Sequence, residues 1–227
     1  CGLCSECLQC VVACQAKAID HQMQEKALNL KVGAVILAPG CECFDPAQRG
    51  EYGYGRYPNV LTSLEFERVL SASGPYLGEI CRPSDRAHPK RIAWLQCVGS
   101  RDVACGNGYC SSVCCMYATK EAVMAREHDA DIEATIFYND IRAFGKGFER
   151  YYETAKNERG VRYLKSMVST VKQLQQSKNL LVQYALDNGT MKEEEFDLVV
   201  LSVGLTPSAQ ARDLAHRLGV ELDRYGF

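Results

Sequence analysis

The stretch CVGSRDVACGNGYCSSVCC, Cys97 to Cys115, restricts this chain more than any other. The apolar run RIAWLQ before it reads as a buried strand, and MYATKEAVMAREH after it reads as a helix. A strand, a glycine-bearing turn and a helix make the unit in which dinucleotide-binding folds seat a pyrophosphate against free helix N–H groups. Here the turn holds five cysteines within nineteen residues, so it is built for something other than a phosphate.

The flanking segments continue the alternation. IEATIFYND reads as a strand, GFERYYETAKNER as a helix and VRYLKSMVSTVKQL as a further strand. NLLVQYAL and EEEFDLVVLSVGL read as strands joined through a DNG turn, a hairpin signal. Upstream, VGAVILAPG (Val32 to Gly40) is a near-continuous apolar run ended by Pro and Gly, the pattern of a strand buried on both faces. AIDHQMQEKALNL reads as short strands, and RPSDRAHPK as a linker. TSLEFERVLSAS opens with a capping box from Thr62 to Glu65 and reads as a helix. The expectation is an α/β fold with a parallel sheet and helices on its faces.

Composition narrows the chemistry. A length of 227 residues allows one or two domains with substantial cores. The formal net charge of −2 leaves no electrostatic footprint for nucleic acid or an anionic membrane. No apolar run approaches the roughly 18 residues of a membrane span. The chain starts inside a motif at Cys1 and stops at RYGF, and reads as an internal segment of a longer protein. Thirteen cysteines, an odd count gathered in two short segments, argue against a secreted disulfide scaffold. Clustered thiolates in a reducing cytoplasm point to metal.

The first group is Cys4, Cys7, Cys10 and Cys14, spaced C-x2-C-x2-C-x3-C as in bacterial-type ferredoxins, whose thiolates hold a 4Fe-4S cluster. Gln15 stands where Pro usually follows the last cysteine. Where two such clusters exist the fourth cysteine ligates the other one, and Cys1 adds a further thiol. A zinc site fits less well, because zinc ligands come in two separated knuckles.

In the second group Cys97 ends its strand, while Cys110, Cys114 and Cys115 bracket the helix start. Ser112 is the expected N-cap, which places Cys114 and Cys115 in the first turn, where free N–H groups and the positive end of the helix dipole favour thiolates. The same physics that attracts phosphate can stabilise anionic sulfur, so a metal cluster is expected in the phosphate's place. Neighbouring helical side chains diverge by about 100°, so a cluster that used both Cys114 and Cys115 is irregularly ligated. Alternatively Cys115 is a small core residue. A redox dithiol lacks its usual C-x-x-C spacing here. Spacing alone leaves open which four of the five cysteines are ligands.

With KRIAWLQCVGSRD, YCSSVCCMYATKEA, TIFYNDIRAFGKGFE, FDLVVLSVGLTPS, EYGYGRYPNV and LEFERVLSASGP read together, nearly the whole chain closely resembles the A-type iron–sulfur flavoprotein subunit of heterodisulfide reductase. The resemblance implies a thioredoxin-reductase-like scaffold of two dinucleotide-binding domains with an inserted ferredoxin-like module. It implies FAD and 4Fe-4S clusters as cofactors, and a cytoplasmic oxidoreductase component that transfers electrons in flavin-based bifurcation. It implies the other subunits of the complex, a hydrogenase, formate or NADH-linked donor, and ferredoxin as partners. It assigns Cys97, Cys110, Cys114 and Cys115 to an unusually ligated cluster and leaves Cys41, Cys43 and Cys105 incidental.

On that scaffold residues 1–30 form part of the ferredoxin-like segment, 31–88 a segment of the FAD domain, 89–205 a Rossmann-like domain and 206–227 the return to the FAD domain. The glycine-rich FAD loop is then expected upstream. Ala38 and Gly40 in VILAPG match the strand-to-turn segment near the flavin, with Pro39 in place of Thr, and Gly204 matches the returning strand. Taken alone, Gly40 and Gly204 are ordinary strand-ending glycines. CVGSRD carries one glycine where G-x-G-x-x-G belongs, and GKG at Gly145–Gly147 lacks the third, so nicotinamide binding reads as lost.

Val113, Met116, Tyr117, Val123 and Met124 are expected as one helical stripe that contains Lys120. Lys120 is either a snorkelling lysine or a cation beside the flavin, and Glu67 either a solvated carboxylate or a flavin neighbour. The aromatic loop EYGYGRYPN is read as surface packing, and the four histidines as forming no site. The alternatives kept are an NAD(P)H-dependent FAD disulfide oxidoreductase and a zinc-binding interaction module.

Overall fold

The chain divides into two units, Cys1–Ala38 and Pro39–Phe227; the computed structural model describes residues 7–227. In the first unit the described residues form one short helix, α1 (Gln9–Ala13), and no strand. The short strands expected over 18–30 are absent, and so is the buried strand expected over Val32–Gly40. Val35 is 63% and Ile36 93% exposed. An apolar run becomes a buried strand only where neighbouring strands take up its N–H and C=O groups and another layer covers it. No described strand pairs with this one.

The second unit begins with β1 (Glu42–Cys43), β2 (Val60–Thr62), α2 (Ser63–Leu70), β3 (Arg91–Val98) and α3 (Cys114–His128). It continues through β4 (Glu133–Tyr138), α4 (Phe148–Asn157), β5 (Arg162–Lys165), β6 (Val168–Gln173) and β7 (Leu180–Ala185). It ends with β8 (Met191–Phe196), β9 (Leu198–Val203), β10 (Leu205–Thr206) and α5 (Ala209–Leu218). A five-stranded sheet in the order β2-β9-β3-β4-β5 is parallel throughout. β2 and α2, read from sequence within segment 31–88, thus join the sheet of the Rossmann-like segment. β1 pairs antiparallel with β10, so the chain enters and leaves this sheet side by side.

Strand periodicity decides what covers each face. Ile92 and Trp94 of β3, with Leu198 and Val200 of β9, pack against Phe66 of α2, Ala118 and Ala122 of α3, and Ala155 of α4. The alternate residues Ala93, Leu95, Val199 and Leu201 face Val171, Leu180, Val182 and Phe196. Those belong to a three-stranded antiparallel sheet, β6-β7-β8. Helices therefore cover one face only, where the sequence pattern predicted both. The aromatic loop closes this second core with Tyr52, 7% exposed, while the Tyr54 hydroxyl donates to Glu65 at 3.0 Å. The capping box forms as expected: Thr62 Oγ1 accepts from Glu65 N at 3.3 Å and Glu65 Oε2 accepts from Thr62 N at 2.7 Å.

Two expected strands are broken by the need to serve both sheets. The segment 161–174 parts after Lys165, where Ser166 N donates to Tyr138 O at 3.0 Å, and β6 then crosses to the antiparallel layer. The run 193–205 parts at Asp197, whose carboxylate accepts from Lys90 N at 2.8 Å and Arg91 N at 2.7 Å. That carboxylate pins the start of β3 between β8 and β9.

Glu194 of β8 ties the two sheets together. Its Oε1 accepts from Arg91 and, at 2.7 Å, from Arg162, while Oε2 accepts from Tyr184 at 3.1 Å. Burial pushes its pKa up, but the hydrogen bond and charge of Arg162, with Tyr184 and Arg91, outweigh this and hold it below the usual carboxylate range. A lowered folded-state pKa stabilises the fold above the unfolded value of about 4.3, and the contribution fades as pH falls through the folded pKa. Glu194→Gln should therefore cost roughly 1–3 kcal/mol at neutral pH. Urea titrations of the two proteins should show that gap shrinking as the buffer is taken below the carboxylate range.

Candidate functional site

In parallel α/β sheets ligands gather beyond the carboxyl ends of the strands, where neighbouring connections diverge. β3 leads through α3 to β4 on one side and has β9 on the other, so that point lies at the ends of β3 and β9. Cys97, Cys110, Cys114 and Cys115 meet there. Together with Ser100, Arg101, Ser112, Asp140 and Arg142 they line one small pocket. Cys114 Sγ lies 3.6 Å from the Val203 carbonyl at the end of β9, and Cys115 Sγ lies 3.7 Å from the Asp140 carbonyl just past β4. Ser112 N donates to Cys110 Sγ at 3.4 Å. Cys105 is not among the lining residues and packs instead against the core beneath the antiparallel sheet. No three His, Cys, Asp or Glu side chains among the described residues are grouped as ligands of a single metal ion.

The connection that delivers these thiols is a pinned loop. Arg101 N donates to Tyr109 O at 2.6 Å, and Asp102 and Asn107 exchange backbone bonds at 2.8 and 2.9 Å. Ser100 Oγ accepts from Ser111 N at 2.9 Å, and Ser111 Oγ accepts from Leu205 N at 2.9 Å. Cys97, Arg101 and Ser112 all have positive φ, at 63°, 57° and 64°. Left-handed backbone at three non-glycine residues is strain that persists only where surrounding bonds over-determine it, and it collects at functional sites.

Ser112 is not the N-cap. Val113 holds that position, and the Ser112 hydroxyl donates to Cys110 O at 3.4 Å. Cys114 and Cys115 do open α3, as expected. The helix end does not make them thiolates: burial outweighs it and pushes the Cys114 thiol up to about 12 and Cys97 up to about 11. Burial also raises Cys115, although the Arg142 backbone N–H opposes it. Arg101 lies beside Cys97, but its own charge is engaged by Asp140 at 2.9 Å.

Gly204 sits where a Cβ would meet Ser100 Cβ at 2.8 Å, Gly99 O at 2.9 Å and Ser111 Oγ at 2.9 Å. Its missing side chain makes room for the cysteine loop. Ala38 and Gly40 lie in exposed irregular chain. Glu67 and Lys120 are brought together, 3.4 Å apart, bridging α2 and α3 with both side chains largely solvated. Of the helical stripe predicted around Lys120, Val123 is buried and Tyr117 and Met124 pack against the core, but the buried face is centred on Cys115, Ala118, Ala122 and Ala125, and Lys120 is exposed.

In the first unit Cys10 and Cys14 lie one turn apart, and Ala18 N donates to Cys14 Sγ at 3.4 Å. Cys10 Sγ is 3.2 Å from His21 Nε2, a contact the scattered histidines did not announce. Cys4 lies outside the described residues.

Arg101, Asp140, Arg142 and Glu121 were not singled out from sequence. Glu121 alone left a signal, as a carboxylate spaced three and four residues from Ala118 and Ala125 on the helix's alanine face. It is 1% exposed.

The family model for pyridine nucleotide-disulphide oxidoreductases matches residues 5–227. The chain belongs to that family. It is 44% identical over 226 residues to the A-type iron-sulfur subunit of the CoB--CoM heterodisulfide reductase of Methanocaldococcus jannaschii, covering 99% of this chain and 34% of the relative. It is 46% identical over 214 residues to a corresponding subunit of Methanopyrus kandleri, covering 93% and 32%. The chain thus spans about a third of the length of these relatives. Among solved structures, T. acidophilum thioredoxin reductase matches 83% of this chain and 48% of its own, at 15% identity and a TM-score of 0.46. No helix among the described residues is long and apolar enough to cross a membrane.

Gly204→Ala tests the packing of the loop. The added methyl should cost about 1–3 kcal/mol in urea unfolding, because all three of its neighbours belong to the strained loop and one of them is backbone.

Proposed function

We propose that this chain is the electron-transferring core of an iron–sulfur flavoprotein subunit in a heterodisulfide reductase-type complex. The observation that carries this reading is the convergence of Cys97, Cys110, Cys114 and Cys115 on one pocket at the strand ends, where the rest of the family's fold would seat a nucleotide. Four thiols from three separate points of the chain suit a 4Fe-4S cluster, whose cubane needs ligands spread around a volume and not gathered at one atom. Metal coordination deprotonates a thiol outright, and so removes the burial cost that keeps these thiols neutral without metal. Cys4, Cys7, Cys10 and Cys14 would hold a second, ferredoxin-type cluster.

FAD is the natural two-electron partner, and its flavin would exchange single electrons with clusters at different potentials. The relatives' names include "iron-sulfur subunit" and, in Methanothermobacter marburgensis, "H(2):CoB-CoM heterodisulfide,ferredoxin reductase". On this reading the partners are the other subunits of such a complex, a hydrogenase, formate or NADH-linked donor and ferredoxin, and the chemistry is flavin-based bifurcation. Ala38, Gly40, Glu67 and Lys120 remain the residues proposed to border FAD. The close contacts of Gly204 are all with this chain's own loop, so its proposed role is indirect.

The protein's contribution is to fix ligands, exclude water and tune potential. Arg101 and Arg142 line the cysteine pocket, and positive charge beside a cluster raises its reduction potential. Arg142→Gln should therefore lower the potential of the cluster at Cys97–Cys115 in an EPR-monitored redox titration, without releasing iron.

The assignment of ligands is tested by anaerobic reconstitution with iron and sulfide. Single Cys-to-Ser changes at Cys97, Cys110 or Cys114 should each remove about four irons per chain and one reduced-cluster EPR signal, whereas Cys105→Ser should remove none. Zinc in place of iron and sulfide would contradict the reading.

A further inference from the structure

Three of the four pocket cysteines are set by regular structure: Cys97 lies on β3, and Cys114 and Cys115 open α3. Cys110 stands in irregular chain between them. Its sulfur accepts from Ser112 N, which belongs to the same loop and moves with it. The residue before it, Tyr109, is anchored from outside the loop. Its hydroxyl donates to Leu205 O of β10 at 2.9 Å. Its ring packs edge to face with Tyr225, at a centroid distance of 4.8 Å, and with Phe227, at 5.0 Å.

The segment that carries those two rings is fixed by a turn of its own. Asp223 Oδ1 accepts from Tyr225 N and Phe227 N, each at 2.9 Å, and Asp223 N donates to Phe227 O at 2.7 Å. Arg224 donates to the Tyr225 hydroxyl at 2.8 Å. Gly226, at a φ of 91°, supplies the left-handed step that lets the turn close, and a Cβ there would meet Arg212 Nε of α5 at 2.8 Å. Gly108 brings the loop against this turn: a Cβ on it would meet the Tyr225 hydroxyl at 3.0 Å.

We propose that Asp223–Phe227 is a clasp that sets the position of Cys110, which makes Tyr225 and Phe227 positioning residues for the cluster at Cys97–Cys115. An irregular loop that presents a ligand at a fixed point loses backbone freedom, and contacts beyond the loop have to offset that loss. A tyrosine held by two rings suits the task, because it buries much surface and has only two side-chain torsions to order. Tyr109 shares a peptide bond with Cys110, so a shift of its ring is passed directly to the thiol. The inference rests on the proposed function only for what Cys110 holds; the position of the thiol is tested without metal.

The first arm uses the chain before iron and sulfide are added. Alkylation of each thiol by iodoacetamide is timed by peptide mass spectrometry. Cys105, in the same loop but packed against the core beneath the antiparallel sheet, is the reference. Tyr225→Ala/Phe227→Ala should raise the Cys110 rate relative to Cys105 about ten-fold, the order expected for losing two aromatic pairs. Tyr225→Phe keeps the ring and should leave the ratio at the parent value. A general loss of stability would expose both thiols and cancel in the ratio. The second arm uses the chain reconstituted anaerobically with iron and sulfide. There the double variant should release iron from the Cys97–Cys115 cluster to a chelator several-fold faster and broaden that cluster's EPR signal. The signal of the cluster proposed at Cys4, Cys7, Cys10 and Cys14 should not change. An unchanged ratio in the double variant, an equal rise in Tyr225→Phe, or iron release at the parent rate overturns the proposal. A chain that takes up no iron would overturn the proposed function instead, and the alkylation ratio would still decide the clasp.

Discussion

Every residue of β9, Leu198 to Val203, is buried, and the molecule's chemistry follows from that burial. Its backbone pairs with β2 on one side and β3 on the other, helices cover one face and the antiparallel sheet covers the second. A strand enclosed on four sides can meet a ligand only at its ends. Its carboxyl end, with those of β3 and β4, supplies the Val203 carbonyl, Cys97 and the turn at Asp140. The cysteine pocket opens on this end of the sheet, where Cys114 in the first turn of α3 meets the Val203 carbonyl.

Within that setting the balance between helix dipole and burial decides the state of the thiols. A helix N-terminus favours an anion by roughly 0.3–1 kcal/mol at exposed sites. Removing a thiolate from water costs several-fold more, and the thiols of Cys97 and Cys114 accordingly rise to about 11 and 12. Such thiols are poor nucleophiles at neutral pH, which counts against a dithiol exchange mechanism. The guanidinium beside Cys97, Arg101, does not offset this, because Asp140 holds its charge. Cysteines that are inert as free thiols and gathered at one place are better suited to metal than to disulfide chemistry.

The sheet was legible because its signals are local. The continuous apolar runs of β3 and β9 declare a parallel sheet, and the Thr62–Glu65 box and the DNG turn are complete within a few residues of chain. What failed depended on partners remote in sequence. Val32–Gly40 has the composition of a buried strand, but burial needs neighbours. The breaks at Ser166–Met167 and Asp197 arise because one apolar run serves two sheets, and no residue within those runs announces it. Strand–helix alternation points to helices on the second face, whereas β6, β7 and β8 supply that layer. At the site, cysteine spacing located the turn without giving its geometry. Ser112 was passed over as N-cap because its positive φ belongs to the loop preceding the helix. Glu121 is masked in the sequence by the lysine beside it, which gives a buried helical glutamate the look of a solvated one.

A phosphate-binding turn works by leaving backbone N–H groups free and keeping glycines where the ligand must approach. The loop from Gly99 to Val113 does the reverse. Its Arg101, Ser111 and Ser112 amides are committed to Tyr109 O, Ser100 Oγ and Cys110 Sγ, and Leu205 N beyond β9 is taken by Ser111 Oγ. A pyrophosphate at this mouth would have to displace those bonds and relax three left-handed residues held by them. The glycine that does remain at a close approach, Gly204, accommodates the loop itself. The mouth lies at the carboxyl ends of parallel strands and the start of a helix, and its donors are spent mostly on the loop's own carbonyl and hydroxyl oxygens. A pyrophosphate at this end of the sheet would meet that hydrogen-bonded backbone whichever side chains stood at the four cysteine positions.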